Sequence, residues 1–139
     1  MESGLSKKKE QYLRYAKKAS EFSDSSRVNI GAALIIGHKV VNIGFNTNKT
    51  NPLQSKIDTK FFNYECSGKI HAETMALYPY IKENIQLNNA ILVTYRQKKD
   101  GTLGMSRPCD RCMKLIKQLG IKKLIYTTDD GFAEEKLFY

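Results

Sequence analysis

His71-Ala72-Glu73, followed downstream by Pro108-Cys109-Asp110-Arg111-Cys112, decides how this sequence is read. The two pieces together supply one imidazole, two thiols and, two residues after the imidazole, the carboxylate of Glu73. Zinc favours four tetrahedral ligands, and a catalytic zinc leaves one position open for water. His71, Cys109 and Cys112 provide three, so the spacing points to one zinc ion per chain with its fourth position free. Cys109 and Cys112 stand i, i+3, which on a helical turn brings both sulfurs to one face. Pro108 suits a helix start, where its missing N–H would lack an intrahelical partner anyway. A helix N-terminus also favours thiolate over thiol.

Glu73 is the remaining group. Zinc lowers the pKa of a bound water to about 7, and the resulting nucleophile needs a proton carrier beside it. Glu73, two residues from His71, is assigned as general acid/base and not as a ligand. A closed, purely structural zinc site would need a fourth protein ligand, commonly from a second CxxC or a histidine pair. Neither is present. Cys66, five residues before His71, is the nearest substitute, but it sits in a polar stretch and reads as a loop thiol.

The pattern HxE…PCxxC resembles the signature of the zinc-dependent nucleobase deaminases, the cytidine deaminase superfamily, over about Val28 to Thr127. The resemblance implies hydrolytic conversion of cytosine to uracil in a nucleotide or a single-stranded nucleic acid. It further implies a substrate contact from Asn46, which follows Gly44-Phe45 at the end of a predicted second strand. The backbone N–H groups of Ala72 and Glu73 would hold the base carbonyl. The run His71 to Leu77 is similar to the corresponding helix of tRNA adenosine deaminases. Ser106-Arg107-Pro108-Cys109 partly matches the Ser-Pro-Cys of polynucleotide cytidine deaminases. The choice of base thus stays open between cytosine and adenine, and cytosine is taken because it is the commoner substrate in the superfamily. A non-catalytic zinc module that binds nucleic acid is the alternative from another class. Relatives are often dimers or tetramers, so a homo-oligomer is compatible with the resemblance.

The 139 residues are expected to form one domain, residues 1–139, and carry a net charge of +9. Four acids against one lysine in the last eleven residues leave +12 on the first 128. Lysine and arginine gather at Lys7-Lys8-Lys9 with Arg14, Lys17 and Lys18, at Arg96 to Lys99, and at Lys114 to Lys123. Such an excess suits phosphate-bearing partners, and equally a solvated lysine-rich surface. No apolar run approaches the roughly 20 residues of a membrane span. The lysine-rich start lacks the apolar core of a secretory signal. Two of the three cysteines are committed to metal, so a reducing, cytoplasmic compartment is the expectation.

Outward from the motif, the pattern predicts a helix over Lys7 to Phe22 with Tyr12, Tyr15, Ala19 and Phe22 inward, widened by Leu13 and Ala16. It predicts a hairpin of Val28 to Ile36 and Lys39 to Phe45 about Gly37-His38, then a long polar stretch from Asn46 to Lys69. There Phe61, Phe62 and Tyr64 are read as anchors to the core. A helix follows from His71 to about Asn84, which Pro79 is expected to shorten or kink. Next come a strand over Asn89 to Tyr95, a loop over Arg96 to Arg107, and a helix over Cys109 to Leu119 stopped by Gly120. Strands over Ile121 to Thr127 and Phe132 to Phe138 complete the chain, with Asp130-Gly131 as the turn between them. This is an α/β pattern. The resemblance makes it a three-layer cytidine deaminase-like fold with a mixed five-stranded sheet and helices on both faces. After Thr128 only eleven residues remain. That is too few for the helical crossover a parallel last strand needs, so a C-terminal antiparallel hairpin is predicted.

Overall fold

The structure is a computed structural model that describes residues 7–23, 28–46, 71–83 and 85–137. Its elements are α1 (Lys7–Ser20), β1 (Val28–Ile36), β2 (Lys39–Phe45), α2 (Ala72–Glu83), β3 (Ala90–Lys98), α3 (Asp110–Gln118), β4 (Lys123–Thr128) and β5 (Gly131–Lys136). The five strands form one sheet in the order β2-β1-β3-β4-β5. β1 is antiparallel to both β2 and β3, β4 is parallel to β3, and β5 returns antiparallel beside β4. The sheet is therefore mixed, and its last two strands are the expected hairpin. Among the described residues no helix is long and apolar enough to cross a membrane.

Period-2 alternation along β1 sends its side chains to opposite faces and so builds two separate cores. Ala33 and Ile35 join Val93, Tyr95 and Ile125 under Tyr12, Leu13 and Ala16 of α1. Ala32 and Leu34 join Leu92 and Leu124 under α2 and α3, where Ala76, Leu77, Met113 and Ile116 cover them. The result is three layers, α1 on one face and two helices on the other.

Two glycines set how closely the helices lie. A β-carbon on Gly31 would stand 2.0 Å from the carbonyl oxygen of Ala16 in α1. One on Gly44 would stand 2.5 Å from the backbone nitrogen of Ala76 in α2. The two glycines neighbour each other across β1 and β2 but face opposite ways, so each layer touches the sheet backbone at a point where no side chain intervenes.

The inward face of α1 differs from the sequence expectation. Tyr12, Leu13, Ala16, Ala19 and Ser20 are buried, whereas Tyr15 and Phe22 are exposed, the latter at 65%. Contact at Gly31 selects small residues for the seam, and the two aromatics turn outward; Phe22 instead meets Phe45 with ring centroids 5.8 Å apart.

Pro79 does not end α2, which runs on to Glu83. Proline has no N–H for the Met75 carbonyl four residues back. Asn42 Nδ2 of β2 donates to the adjacent Ala76 carbonyl at 2.8 Å, which supports the helix from outside at that turn. β3 continues three residues past the predicted end, as Arg96, Gln97 and Lys98 pair with Ile30, Asn29 and Val28. These polar residues lie toward the rim of the sheet, where backbone pairing needs no apolar side chain. The turn between β1 and β2 is Gly37-His38, both with positive φ (58° and 68°). That is the twist a two-residue hairpin prefers. His38 is exposed, and its Nδ1 lies 3.0 Å from the Tyr12 hydroxyl. Phe61, Phe62, Tyr64 and Cys66 lie outside the described residues.

Candidate metal centre

α2 and α3 begin side by side on one face of the sheet, and each is preceded by a residue of the motif. The His71 carbonyl accepts from Met75 N–H at 3.1 Å, and the Cys109 carbonyl from Met113 N–H at 2.8 Å. Both residues are thus N-caps, the position where Ser, Thr, Asp or Asn usually satisfies the first N–H groups. Cys109 has extended backbone (φ −68°, ψ 169°) and makes no side-chain capping bond. Its helix gives up that stabilisation, and the sulfur turns toward His71 instead. Cys109 precedes α3, while Cys112 lies in its first turn.

His71 Nδ1 lies 4.0 Å from Cys109 Sγ and 3.7 Å from Cys112 Sγ. All three donor atoms fall within 4.8 Å of one another, and this is the group of potential metal ligands among the described residues. With Zn–S near 2.3 Å and Zn–N near 2.0–2.1 Å, tetrahedral coordination separates ligand atoms by about 3.5–3.8 Å. The observed spacing fits an ion of that kind, and one nitrogen with two sulfurs is a donor set zinc accepts. Glu73 is not in the group.

The electrostatics follow from this crowding. The Cys112 thiol donates to Cys109 and holds the Cys109 pKa down at about 3, while the same bond and burial push Cys112 up. The bond to Cys109 also raises His71. Glu73 is only 7% exposed, and burial raises its carboxyl pKa. It stands in the first turn of α2, two residues after His71, and its charge is felt by both His71 and Cys112. Ala72 and Glu73 are the first two residues of α2, so their N–H groups have no partner within the helix.

Asn46 is tied to the sheet. Its Oδ1 accepts from Ile30 N–H at 2.9 Å and from the Ser23 hydroxyl at 2.6 Å, and its own N–H donates to the Ile30 carbonyl at 3.1 Å. The side-chain oxygen thus joins the end of β2 to β1 and to the segment after α1.

The sequence reading did not single out the support beneath the cysteines. Thr94 in the middle of β3, Thr127 near the end of β4 and Ser106 in the segment before Cys109 are buried and joined by their hydroxyls. A threonine between the apolar run Ile91-Leu92-Val93 and Tyr95 was the available signal.

A profile of the cytidine and deoxycytidylate deaminase zinc-binding region matches residues 6–128. The chain belongs to this deaminase family. Solved structures of similar fold include the cytidine deaminase of Burkholderia pseudomallei, at 18% identity over 91% of this chain and 91% of that one, with a TM-score of 0.62. The dCMP deaminase of cyanophage S-TIM5 in apo form aligns at 24% identity over 92% of this chain and 86% of that one, with a TM-score of 0.61. In complex with dCMP and dUMP it aligns at 22% identity over 92% and 84%, with the same score. At these identities the likeness concerns the fold. Curated protein sequences give no match.

Proposed function

We propose that this deaminase-family chain hydrolyses the exocyclic amine of cytosine, giving uracil and ammonia, with a nucleotide or a single-stranded nucleic acid as substrate. The observation that carries this reading is the juxtaposition of His71 Nδ1 with two cysteine sulfurs, and a buried carboxyl in the helical turn that follows His71 which is not one of the ligand group.

His71, Cys109 and Cys112 would hold the zinc. When bound, zinc supplies the Lewis acidity that makes water nucleophilic near neutral pH. In the net reaction the water oxygen bonds to C4 of the ring and the bond from C4 to the amine breaks. Two protons leave the water, and the departing nitrogen must gain one to leave as ammonia. Glu73 is the group that moves them: it takes a proton from water and delivers it to the ring nitrogen, and later carries one to the amine. Burial suits this task, because a carboxyl with a raised pKa holds and releases a proton more readily near neutral pH. The Ala72 and Glu73 N–H groups at the start of α2 would hold the carbonyl of the base. Asn46 is the proposed further contact to the substrate.

The net charge of +9 favours a phosphate-bearing substrate. The antiparallel β5 is the arrangement that the resemblance associates with free-nucleoside and toxin-like branches, so nucleosides belong in the test. Zinc-loaded protein is incubated with cytidine, deoxycytidine, deoxycytidylate, and cytosine-containing single-stranded DNA and RNA, with Glu73→Ala as control. Conversion of at least one substrate by the native chain and none by the variant is expected. No conversion at all, or equal conversion by Glu73→Ala, overturns the reading; inosine in a parallel tRNA reaction assigns adenine instead.

A further inference from the structure

The segment that delivers Cys109 is held from two sides. On the inner side Ser106, 5% exposed, is bonded to both neighbouring strands. Its N–H donates to the Thr127 carbonyl at 2.9 Å, and its carbonyl accepts from the Thr94 hydroxyl at 2.8 Å. Its Oγ accepts from Thr127 N–H at 2.8 Å and lies 3.0 Å from Thr94 Oγ1 and 2.9 Å from Thr127 Oγ1. Thr127 Oγ1 also donates to the Gly104 carbonyl at 2.7 Å and accepts from Arg96 N–H at 3.1 Å.

The proton count closes. The Thr94 hydroxyl gives its hydrogen to the Ser106 carbonyl, and that of Thr127 gives its own to Gly104. Ser106 is left to donate to a threonine oxygen. Every hydroxyl proton of this buried trio therefore has an acceptor, the condition under which a polar network is rigid.

On the outer side the next residue, Arg107, forms a forked pair with Glu135 of β5, Nε to Oε1 at 2.9 Å and an Nη to Oε2 at 3.0 Å. The Tyr126 hydroxyl donates to the same carboxylate at 3.1 Å. Glu135 is the register partner of Leu124, so it lies on the sheet face that α2 and α3 cover, at the β5 edge. Ser106 and Arg107 thus point to different anchors, β3/β4 and β5, and Pro108 follows with its φ fixed. Cys109 leaves this clamp with little freedom.

We propose that Ser106, and through Arg107 also Glu135 of the C-terminal strand, are positioning residues that preset Cys109 against Cys112 and His71 for metal capture. This rests on the reading of that trio as the metal site. Metal affinity depends on groups that orient the ligands, and their loss typically weakens binding 10- to 100-fold.

The test uses the full chain and four variants: Ser106→Ala, Thr94→Val, Glu135→Gln and Cys109→Ser. Zinc affinity is measured by competition with a chromophoric chelator, and the cobalt-substituted proteins are compared by visible absorption. The native chain is expected to bind one ion and show the intense bands of tetrahedral cobalt–thiolate coordination, with Cys109→Ser losing both. Ser106→Ala should bind zinc 10- to 100-fold more weakly with an altered cobalt spectrum. Thr94→Val should follow in the same direction, and so should the half-buried Glu135→Gln, with its metal-free chain melting only slightly lower than the native one. If Ser106→Ala does not fold, the other two carry the test. Native affinity and an unshifted cobalt spectrum in every folded variant overturn the clamp while leaving the site reading intact. A native chain that binds no zinc, or a Cys109→Ser variant that keeps it, overturns the site reading itself and the clamp with it.

Discussion

Gly44 of β2 lies beneath the first residue of α2 so closely that a β-carbon there would stand 2.2 Å from the Ala72 carbonyl oxygen. The obstacle is backbone, which has no rotamer to yield. The turn so fixed begins at His71 and contains Glu73.

Gly44→Ala is therefore expected to lift the start of α2 off the sheet. Overpacking of this kind costs about 1–3 kcal/mol or somewhat more, and zinc retention should fall with stability. Urea unfolding combined with metal analysis of the same sample checks it; a variant with native stability and full zinc content would show that the helix end is free to move.

Replacing Glu73 by Gln should separate chemistry from structure. The amide keeps the shape, ends the burial cost of a carboxylate, and cannot carry a proton. We expect turnover to drop by about 10²–10⁴-fold, with zinc content unchanged and the melting temperature equal or higher. A variant that loses its metal would make Glu73 a ligand.

The pairs that join β5 to the rest of the chain give a pH signature. Lys9 holds the Glu134 carboxyl below its ordinary range, and Arg107 does the same for Glu135. A carboxyl whose pKa is lower folded than unfolded binds more protons when unfolded, so its stabilisation is present above the unfolded value and is lost as pH falls through the folded one. Glu135→Gln should thus melt lower than the native chain at pH 7, and the two should converge as the pH drops below about 4. The gap at neutral pH should be small, since exposed ion pairs contribute at most about 1 kcal/mol. A gap that stays constant down to acid pH would contradict the assignment.

Asn42→Ala removes the donor that reaches the Ala76 carbonyl beside Pro79. We expect a loss of about 1 kcal/mol, read as a shift in the denaturant midpoint. In a Pro79→Ala background, which restores an N–H to the Met75 carbonyl and leaves the Asn42 bond to Ala76 in place, the loss should be the same. A smaller loss there would show that the proline and the asparagine are coupled.

What was legible in the sequence was the chemistry and the order of elements. His71, Cys109 and Cys112 are unusual residues at fixed spacing, and the structure brings their donor atoms together. The antiparallel last strand was legible in the Asp130-Gly131 turn, which joins its two strands too tightly for a helical crossover. What escaped was set by contacts between distant backbones. Tyr15 and Phe22 have the hydrophobicity of inward residues, yet the approach of α1 to Gly31 admits only Ala16, Ala19 and Ser20 at that seam. Pro79 reads as a helix end, yet α2 runs on to Glu83, and the Asn42 amide that supports its next turn at the Ala76 carbonyl lies on another element.

Ser106 was read for its resemblance to a motif, while its position depends on Thr94 and Thr127, each remote in sequence. Polarity likewise made Arg96 to Lys98 look like loop, although β1 pairs with them. In each case the deciding partner lies outside any local window of residues.

One ion held by His71, Cys109 and Cys112 underlies every role proposed above. Elemental analysis of the purified native chain and of Cys112→Ser measures it: one zinc per native chain and a loss of most of it in the variant are expected, whereas zinc absent from the native chain, or retained in full without Cys112, refutes the assignment.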